Sequence, residues 1–470
     1  MGLGCFSILR RAGIMPKGEK KERAADKLPG LTFDAPESVS IWIMGFANLI
    51  RGQIIKGLLF LAVEVGYVWF MIAAGIRGLN GLFTLGTQEQ GWVTPPGSKI
   101  PILAGGDNSM LLMIYGVAVI VLTIIFAGIY VINIGSARQM LAYRLAGKKA
   151  PGFIYDLKSL MDQKFHITLM LPSVIGIMLF TILPLIFMIL IAFTNYDKDH
   201  QPPGNLFDWV GLQNFTAMLG ANKLLAGTFF PVLGWTLIWA IIATSTNYIL
   251  GIMLALLINK KGIRFKGMWR TVFVITIALP QFITLLVMRN MFNDYGPINE
   301  FLVAIGVLTN ATRIHFLTNV LLARITVLIV NLWIGIPYTM LISTGILMSI
   351  PNDMYEAARI DGASPFKLFV KITMPYMIFV TTPYLITQFI GNINNFNVIY
   401  LLTNGGPTTS TYYQAGKTDL LVTWLYKLTA NIRDYNLAST IGIIVFIISA
   451  TISLITYRNT VAYKREEEFS

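Results

Sequence analysis

Two groups of residues in this chain have the types and spacing to recognise a partner or a ligand. The first is Glu356-Ala357-Ala358-Arg359-Ile360-Asp361-Gly362, followed after nine residues by Ile372, Met374 and Pro375. Pro351-Asn352-Asp353 ahead of it offers helix-start chemistry, with Asn352 or Asp353 available to cap. Gly362 permits a left-handed break, and Ser364-Pro365 restarts a helix through Phe366 and Leu368. The expected product is a short helix-turn-helix. Its Ala357, Ala358 and Phe366, set against Arg359, Asp361 and Lys367, suit insertion into a groove of a soluble partner. On residue types alone, an ordinary interhelical loop explains the segment better. The second group is a pair of polar stripes. Asn331, Gly335 and Tyr338 are spaced i, i+4, i+7, and Gln388, Asn392 and Asn395 repeat that spacing. Each amide offers a donor pair and an acceptor, which complements the vicinal hydroxyls of a neutral sugar; Tyr338 adds a flat ring and Gly335 leaves room for it. Amides also hold helices together inside membranes, and the pattern by itself favours neither role.

Other chemistry is poorly served. Cys5 is the single cysteine and His166, His200 and His315 are the three histidines, so neither a disulfide nor a metal site is expected. No cluster of nucleophile, base and metal ligand marks a catalytic residue. Gly416-Lys417-Thr418 comes nearest to a phosphate-cradling loop, yet Thr411 stands where the first glycine is required, so the match is chance. If ATP drives this protein, another subunit binds it. Glu64 is the one ionisable group well inside an apolar stretch, whereas Arg289 and Arg324 fall near stretch ends. A carboxyl paired with a neighbouring helix's hydroxyl or amide accounts for Glu64 more economically than an ion site.

The elements that must position these residues are membrane helices. Of 470 residues 55% are hydrophobic and 13% charged, against about 25% charged in an ordinary soluble protein, and the mean hydropathy is +0.65. That balance excludes a secreted disulfide scaffold, a disordered chain and most soluble enzymes. The net charge of +13 is shared among short segments between apolar stretches, so it reads as a topology signal and not as a nucleic-acid surface. No apolar run precedes Lys17, so no cleavable signal peptide is expected. Eight stretches are long enough to cross a hydrocarbon core, near 57–76, 110–134, 167–193, 232–258, 271–291, 325–348, 375–397 and 438–457. The fold class is therefore an all-α polytopic membrane protein. Arg138, Arg144, Lys148, Lys149, Lys158 and Lys164 place 135–166 in the cytoplasm, and Lys260, Lys261, Arg264, Lys266 and Arg270 do the same for the segment after the fourth stretch. Segments 77–109, 194–231 and 292–324 are poorer in Lys and Arg for their length and face outside. Both termini are then cytoplasmic, which suits their basic residues. Residues 1–56 form a tail whose part from Val39 to Ile55 could lie along the inner membrane surface.

The spacing from Glu356 to Pro375 resembles the E-A-A-x-x-x-G-x9-I-x-L-P loop of membrane subunits of ABC importers, with Met374 in place of leucine. Trp209 to Phe215, Asn331 to Gly335, Asn394 to Phe396 and Leu402-Thr-Asn-Gly-Gly-Pro407 are similar to the larger permease of maltose/maltodextrin importers. The likeness is strongest from about Ile167 onward. It implies eight transmembrane helices, six of them (167–457) forming an ABC type I importer core, with accessory helices over 57–134, an ATPase-docking loop over 352–375 and a cytoplasmic tail over 458–470. It further implies sugar contact at Asn331, Gly335, Tyr338, Gln388, Asn392 and Asn395, and ATPase docking through Glu356, Ala357, Ala358, Gly362, Ile372 and Pro375. Gln388 and Thr339 depart from the enterobacterial residues, and the large folded outside insert of the enterobacterial members has no counterpart in the roughly 40 residues here. The implied partners are a homologous second permease, two copies of an ATP-binding subunit carrying MgATP, an extracellular sugar-binding protein, an oligosaccharide and membrane lipid, with no nucleic acid and no cofactor in this chain. The implied location is the bacterial cytoplasmic membrane. The alternative from another class is a self-contained ion-coupled secondary sugar transporter, which the few intramembrane charges disfavour. The topology is checked by cysteines placed singly at Ser159 and Asn222 in a Cys5→Ser background. A membrane-impermeant thiol reagent should label Asn222→Cys in intact cells and spare Ser159→Cys; strong labelling of Ser159→Cys contradicts the assignment.

Overall fold

The computed structural model describes residues 35–458 apart from 95–96, 98–99, 148 and 261. The tail before residue 35, Lys148, Lys261 and the segment beyond Arg458, all assigned to the cytoplasm from sequence, lie outside the described residues. Backbone in hydrocarbon must satisfy its own hydrogen bonds, and the apolar stretches are accordingly helical. Seven are single spans: Ile54–Thr84, Ser109–Leu145, Phe165–Ile191, Lys223–Asn259, Val320–Leu347, Pro365–Thr403 and Tyr435–Arg458. The fifth of the eight expected spans is the exception. One helix is expected near 271–291, but the chain forms two, Lys266–Ala278 and Gln281–Met291, meeting at 91°. Leu279 is extended (φ −77°, ψ 133°), as a residue before proline prefers, and Pro280 has no N–H to return to the carbonyl one turn back. The sixth span also starts earlier than expected, capped by Asn319, so Arg324 lies within the helix and not ahead of it.

Residues cluster into two compact units. One comprises the described residues through Phe187 with Pro202–Phe207. Here the segment expected along the membrane surface folds into two short helices, Ala35–Trp42 and Phe46–Ile50, tied to the second span by side chains. Asn133 accepts the Gly45 N–H at 2.8 Å and donates to the Ser40 carbonyl at 3.0 Å, and Asn48 donates to Ser136 at 2.8 Å. Glu64 accepts the Met44 N–H at 2.8 Å, a backbone donor in the turn between those two helices and not the neighbouring helix's hydroxyl or amide expected for it. A two-stranded hairpin, Gly91–Val93 with Ile102–Ala104, interrupts the all-α pattern between the first two spans.

The other unit comprises Met188–Gln201 and the chain from Asp208. Lipid tails are as apolar as leucine, so burial alone gives little drive for helices to associate; tight packing and polar contacts must do it. Trp235 and Trp239 of the fourth span pack with Val327 and Val330 of the sixth and with Val398, Ile399 and Leu402 at the end of the seventh. Phe229 and Val232 meet Trp424 of a short helix, Leu421–Lys427, and Ile441 of the eighth span.

A clasp closes the loop after the seventh span. The Asp419 side chain, 1% exposed, accepts from Lys427 and Gly416 N–H at 2.7 and 2.6 Å and from Thr423 at 2.8 Å, while Lys427 also donates to the Asn404 carbonyl at 2.8 Å. Burial pushes the Asp419 carboxyl up from its ordinary value, and Lys427 and the hydrogen bonds pull against burial without reversing it. The clasp absorbs the phosphate-loop look-alike: Gly416 serves Asp419, Lys417 sits 3.6 Å over the Tyr412 ring, and Thr418 bonds Thr403 at 2.8 Å. Removing one partner of a buried pair strands the other, at a cost of about 3–5 kcal/mol, whereas replacing both with apolar groups is often neutral. Lys427→Met should therefore lower the melting temperature of the purified protein markedly, and adding Asp419→Leu should recover the part owed to the stranded carboxylate, the Gly416 N–H still lacking its acceptor. An unchanged melting temperature in the single variant contradicts the clasp.

Candidate substrate site and coupling loop

The fourth span positions the candidate site. Thr244, Asn247, Tyr248 and Gly251 fall at i, i+3, i+4 and i+7 and share one face of that helix. Thr244 Oγ1 accepts from Asn392 Nδ2 at 2.9 Å, and Tyr248 Oη lies 2.6 Å from Thr381 Oγ1, both partners belonging to the seventh span. The Asn247 amide lies against Gly335 of the sixth span so closely that a Cβ at 335 would collide with it. Gly251 faces Thr339, whose hydroxyl reaches Tyr384 of the seventh span at 3.2 Å. The face is thus a polar seam with the sixth span on one side and the seventh on the other. One turn further along, Trp239 Nε1 donates to the Asn392 carbonyl at 3.1 Å and fixes the end of the seventh helix.

The six residues singled out in the two stripes are placed differently from one another. Asn331 is buried, and its Nδ2 has no hydrogen-bond partner. Gly335 provides the close approach of the fourth span. Tyr338 is half-exposed and, with Trp333 and Ile334, borders a hollow of about 320 Å³ whose far wall is the Leu279-Pro280-Gln281 bend of the fifth span. Asn392 is buried and doubly engaged, giving its Nδ2 to Thr244 and receiving Asn395 Nδ2 on its Oδ1 at 3.4 Å. Asn395 Oδ1 caps the helix Phe396–Thr403 through the Val398 N–H at 3.3 Å. Gln388 is exposed. Asn392 and Asn395 are therefore joined, Gly335 meets the fourth span with Asn331 one turn before it on the same helix face, and Tyr338 and Gln388 are open. Thr244 and Asn247 were not singled out from sequence, although their spacing in an apolar stretch carries the same signal as the other two stripes.

The segment after the sixth span is the expected helix-turn-helix. Asn352–Ile360 carries Glu356, Ala357 and Ala358, and Pro351, not Asn352 or Asp353, occupies the cap position, so that helix begins without a side-chain cap. Gly362 turns left-handed at φ 73°, and the N–H groups of Gly362 and Ala363 close back on Arg359 and Ala358 at 3.0 and 2.9 Å. Ser364 then caps Pro365–Leu368. Ile372 lies in the wide turn Phe369–Thr373, and Pro375 in the first turn of Met374–Ile393. Tyr355 Oη meets Thr373 Oγ1 at 2.9 Å, so the loop is braced against the start of the seventh span while Ile360 and Phe366 stand 86% and 75% exposed at its tip.

Comparison with known proteins agrees with this architecture. Residues 247–463 match the family described as binding-protein-dependent transport system inner membrane component. The galactooligosaccharides transport system permease protein GanP of Bacillus subtilis (strain 168) is 35% identical over 90% of this chain and 97% of its own. The maltodextrin transport system permease protein MdxF of the same organism is 35% identical over 90% of this chain and 95% of its own. A chain of a bacterial ABC transporter involved in the import of the acidic polysaccharide alginate superimposes with a TM-score of 0.52, covering 64% of this chain and 96% of that one, and at 22% identity that likeness concerns the fold. The chain belongs to the family of inner membrane components of binding-protein-dependent transport systems, and is a multi-pass membrane protein of that family.

Proposed function

We propose that this chain is a permease subunit of an ATP-driven importer that carries a neutral oligosaccharide, of the maltodextrin or galactooligosaccharide kind, across the cytoplasmic membrane. The observation that carries the proposal is the polar face of the fourth span, where Thr244 bonds Asn392 and Asn247 packs on Gly335, with the Tyr338 ring, three residues on from Gly335, open at a hollow. A cluster of uncharged donors and acceptors with an adjoining aromatic ring fits a polyol, whereas an ion would call for charge. The substrates named for GanP and MdxF are of the same class.

In this account Asn331, Gly335, Tyr338, Gln388, Asn392 and Asn395 contact the sugar, and no residue of this chain makes or breaks a covalent bond. Spans three to eight, 167–457, form the transport core and the first two are accessory. Partners are a homologous second permease, two ATP-binding subunits and an extracellular sugar-binding protein; MgATP on the ATP-binding subunits supplies the energy. Both termini face the cytoplasm. The exposed tip of the 352–375 loop, with Glu356, Ala357, Ala358 and Gly362 shaping it and Ile372 and Pro375 leading back to the seventh span, enters a groove of the ATPase. Tilting of the core helices when the ATPases close then exposes the seam to each side in turn. Ion coupling has little to work with, since Glu64 is held by the Met44 amide.

Two variants test the account. Tyr338 is half-exposed, so Tyr338→Ala should leave the melting temperature of the assembled transporter unchanged while uptake of labelled oligosaccharide into proteoliposomes falls about five- to hundredfold, the worth of one lost or unpaired hydrogen bond of ~1–3 kcal/mol. Unchanged uptake contradicts a sugar site at Tyr338. Gly362→Pro should distort the turn and reduce co-purification of the ATPase with properly inserted permease. Retention of the ATPase at the wild-type level contradicts docking through this loop.

A further inference from the structure

Two buried amide atoms near the seam lack partners, and they are complementary. Asn247 is 8% exposed and Asn331 4%, so both are more than nine-tenths buried. The Oδ1 of Asn247 lacks a donor and the Nδ2 of Asn331 lacks an acceptor. Asn247 packs on Gly335, and Asn331 lies one helical turn from Gly335 on the same face, so the two amides belong to one stretch of the seam. The two open atoms do not pair with each other.

A buried polar atom without a partner is costly, and a leucine of similar size at 247 would remove the cost. The chain keeps the amide where the sixth span carries the proposed sugar stripe. The missing partner must donate to one amide and accept from the other, as a hydroxyl does and as a water would. A carboxylate only accepts and an ammonium only donates, but a hydroxyl can give its proton to Asn247 Oδ1 and take the Asn331 N–H on its oxygen at the same time. Thr244, three residues before Asn247 on the same face, already bonds Asn392 of the other stripe, so a ligand held at Asn247 would lie between the two stripes.

We infer that Asn247 is a further substrate-binding residue, its Oδ1 and the Nδ2 of Asn331 together receiving one hydroxyl of the transported molecule. This rests on the oligosaccharide reading above and extends it to the fourth span, making that helix part of the specificity-determining surface as well as the support for it.

The test uses the complete transporter in proteoliposomes with saturating binding protein and ATP, and tritiated glucose- and galactose-based trisaccharides with their monodeoxy derivatives as probes. Asn247→Leu should lower uptake of the parent sugar at least about fivefold, with a melting temperature equal to or above wild type because the unpaired acceptor is gone. Wild type should reject one monodeoxy derivative about five- to hundredfold, and Asn247→Leu should no longer distinguish it from the parent. Asn247→Ala provides the same comparison should leucine prevent insertion. Variants that keep wild-type uptake and discrimination, or that lose uptake only in step with a fall in melting temperature, overturn the role of Asn247 and leave the oligosaccharide reading standing. A wild-type transporter that imports none of the trisaccharides overturns the oligosaccharide reading and this role together.

Discussion

A polar group in hydrocarbon has nothing to bond but its own protein, and in this chain that constraint makes the fourth span the organising element of its compact unit. Thr244, Tyr248 and the space at Gly251 give Asn392, Thr381 and Thr339 a place to go, and Asn247 closes on Gly335. Without that face the Asn392 amide of the seventh span would lose the acceptor for its Nδ2. Hydrogen bonds between membrane helices are individually weak, averaging about 0.6 kcal/mol where measured. A seam made of several such contacts holds its helices in register and still allows one set of partners to be exchanged for another at little net cost. On the proposed reading the same polar ladder serves as support and as a surface that a polyol rearranges.

Stiffer contacts lie beyond the seam. Trp235 Nε1 donates to the Thr418 carbonyl at 3.1 Å, and Arg324 stacks 4.4 Å over the Trp235 ring while holding the Lys417 carbonyl at 3.0 Å. These bonds fasten the loop after the seventh span to the fourth and sixth spans, and the Asp419 and Lys427 clasp locks it internally. At the other end Tyr355 and Thr373 brace the helix-turn-helix against the seventh span. Motion imposed on that loop reaches the seventh helix directly and meets Asn392 within the same continuous run, Pro365–Thr403.

Much of this was legible in the sequence because it depends on local chemistry. Gly362 and Ser364-Pro365 announce a turn and a restart, and both form. Asn331, Gly335, Asn392 and Asn395 stood out by spacing alone. What the sequence concealed depends on tertiary context. Pro172, Pro231, Pro337 and Pro383 all sit inside helices that continue through them, whereas Pro280 marks a right-angled break, and nothing in the residue type distinguishes them. Periodicity cannot say whether a stripe faces a neighbour or an opening, which is why Gln388 proves exposed and Asn395 proves to be a helix cap. Thr244 and Asn247 carried a readable pattern but gain meaning only once Gly335 and Asn392 are seen across from them.

The central claim is that the polar face of the fourth span is shared between helix packing and sugar recognition. The most direct measurement is a density map of the assembled transporter in lipid, trapped with a non-hydrolysable ATP analogue and an imported oligosaccharide. The account predicts sugar density between the sixth and seventh spans, a ring on Tyr338, and hydroxyls within 3.2 Å of Asn331 and of the fourth span. Sugar density elsewhere in the core, with the contacts of Thr244 and Asn247 unchanged from those described above, would contradict it.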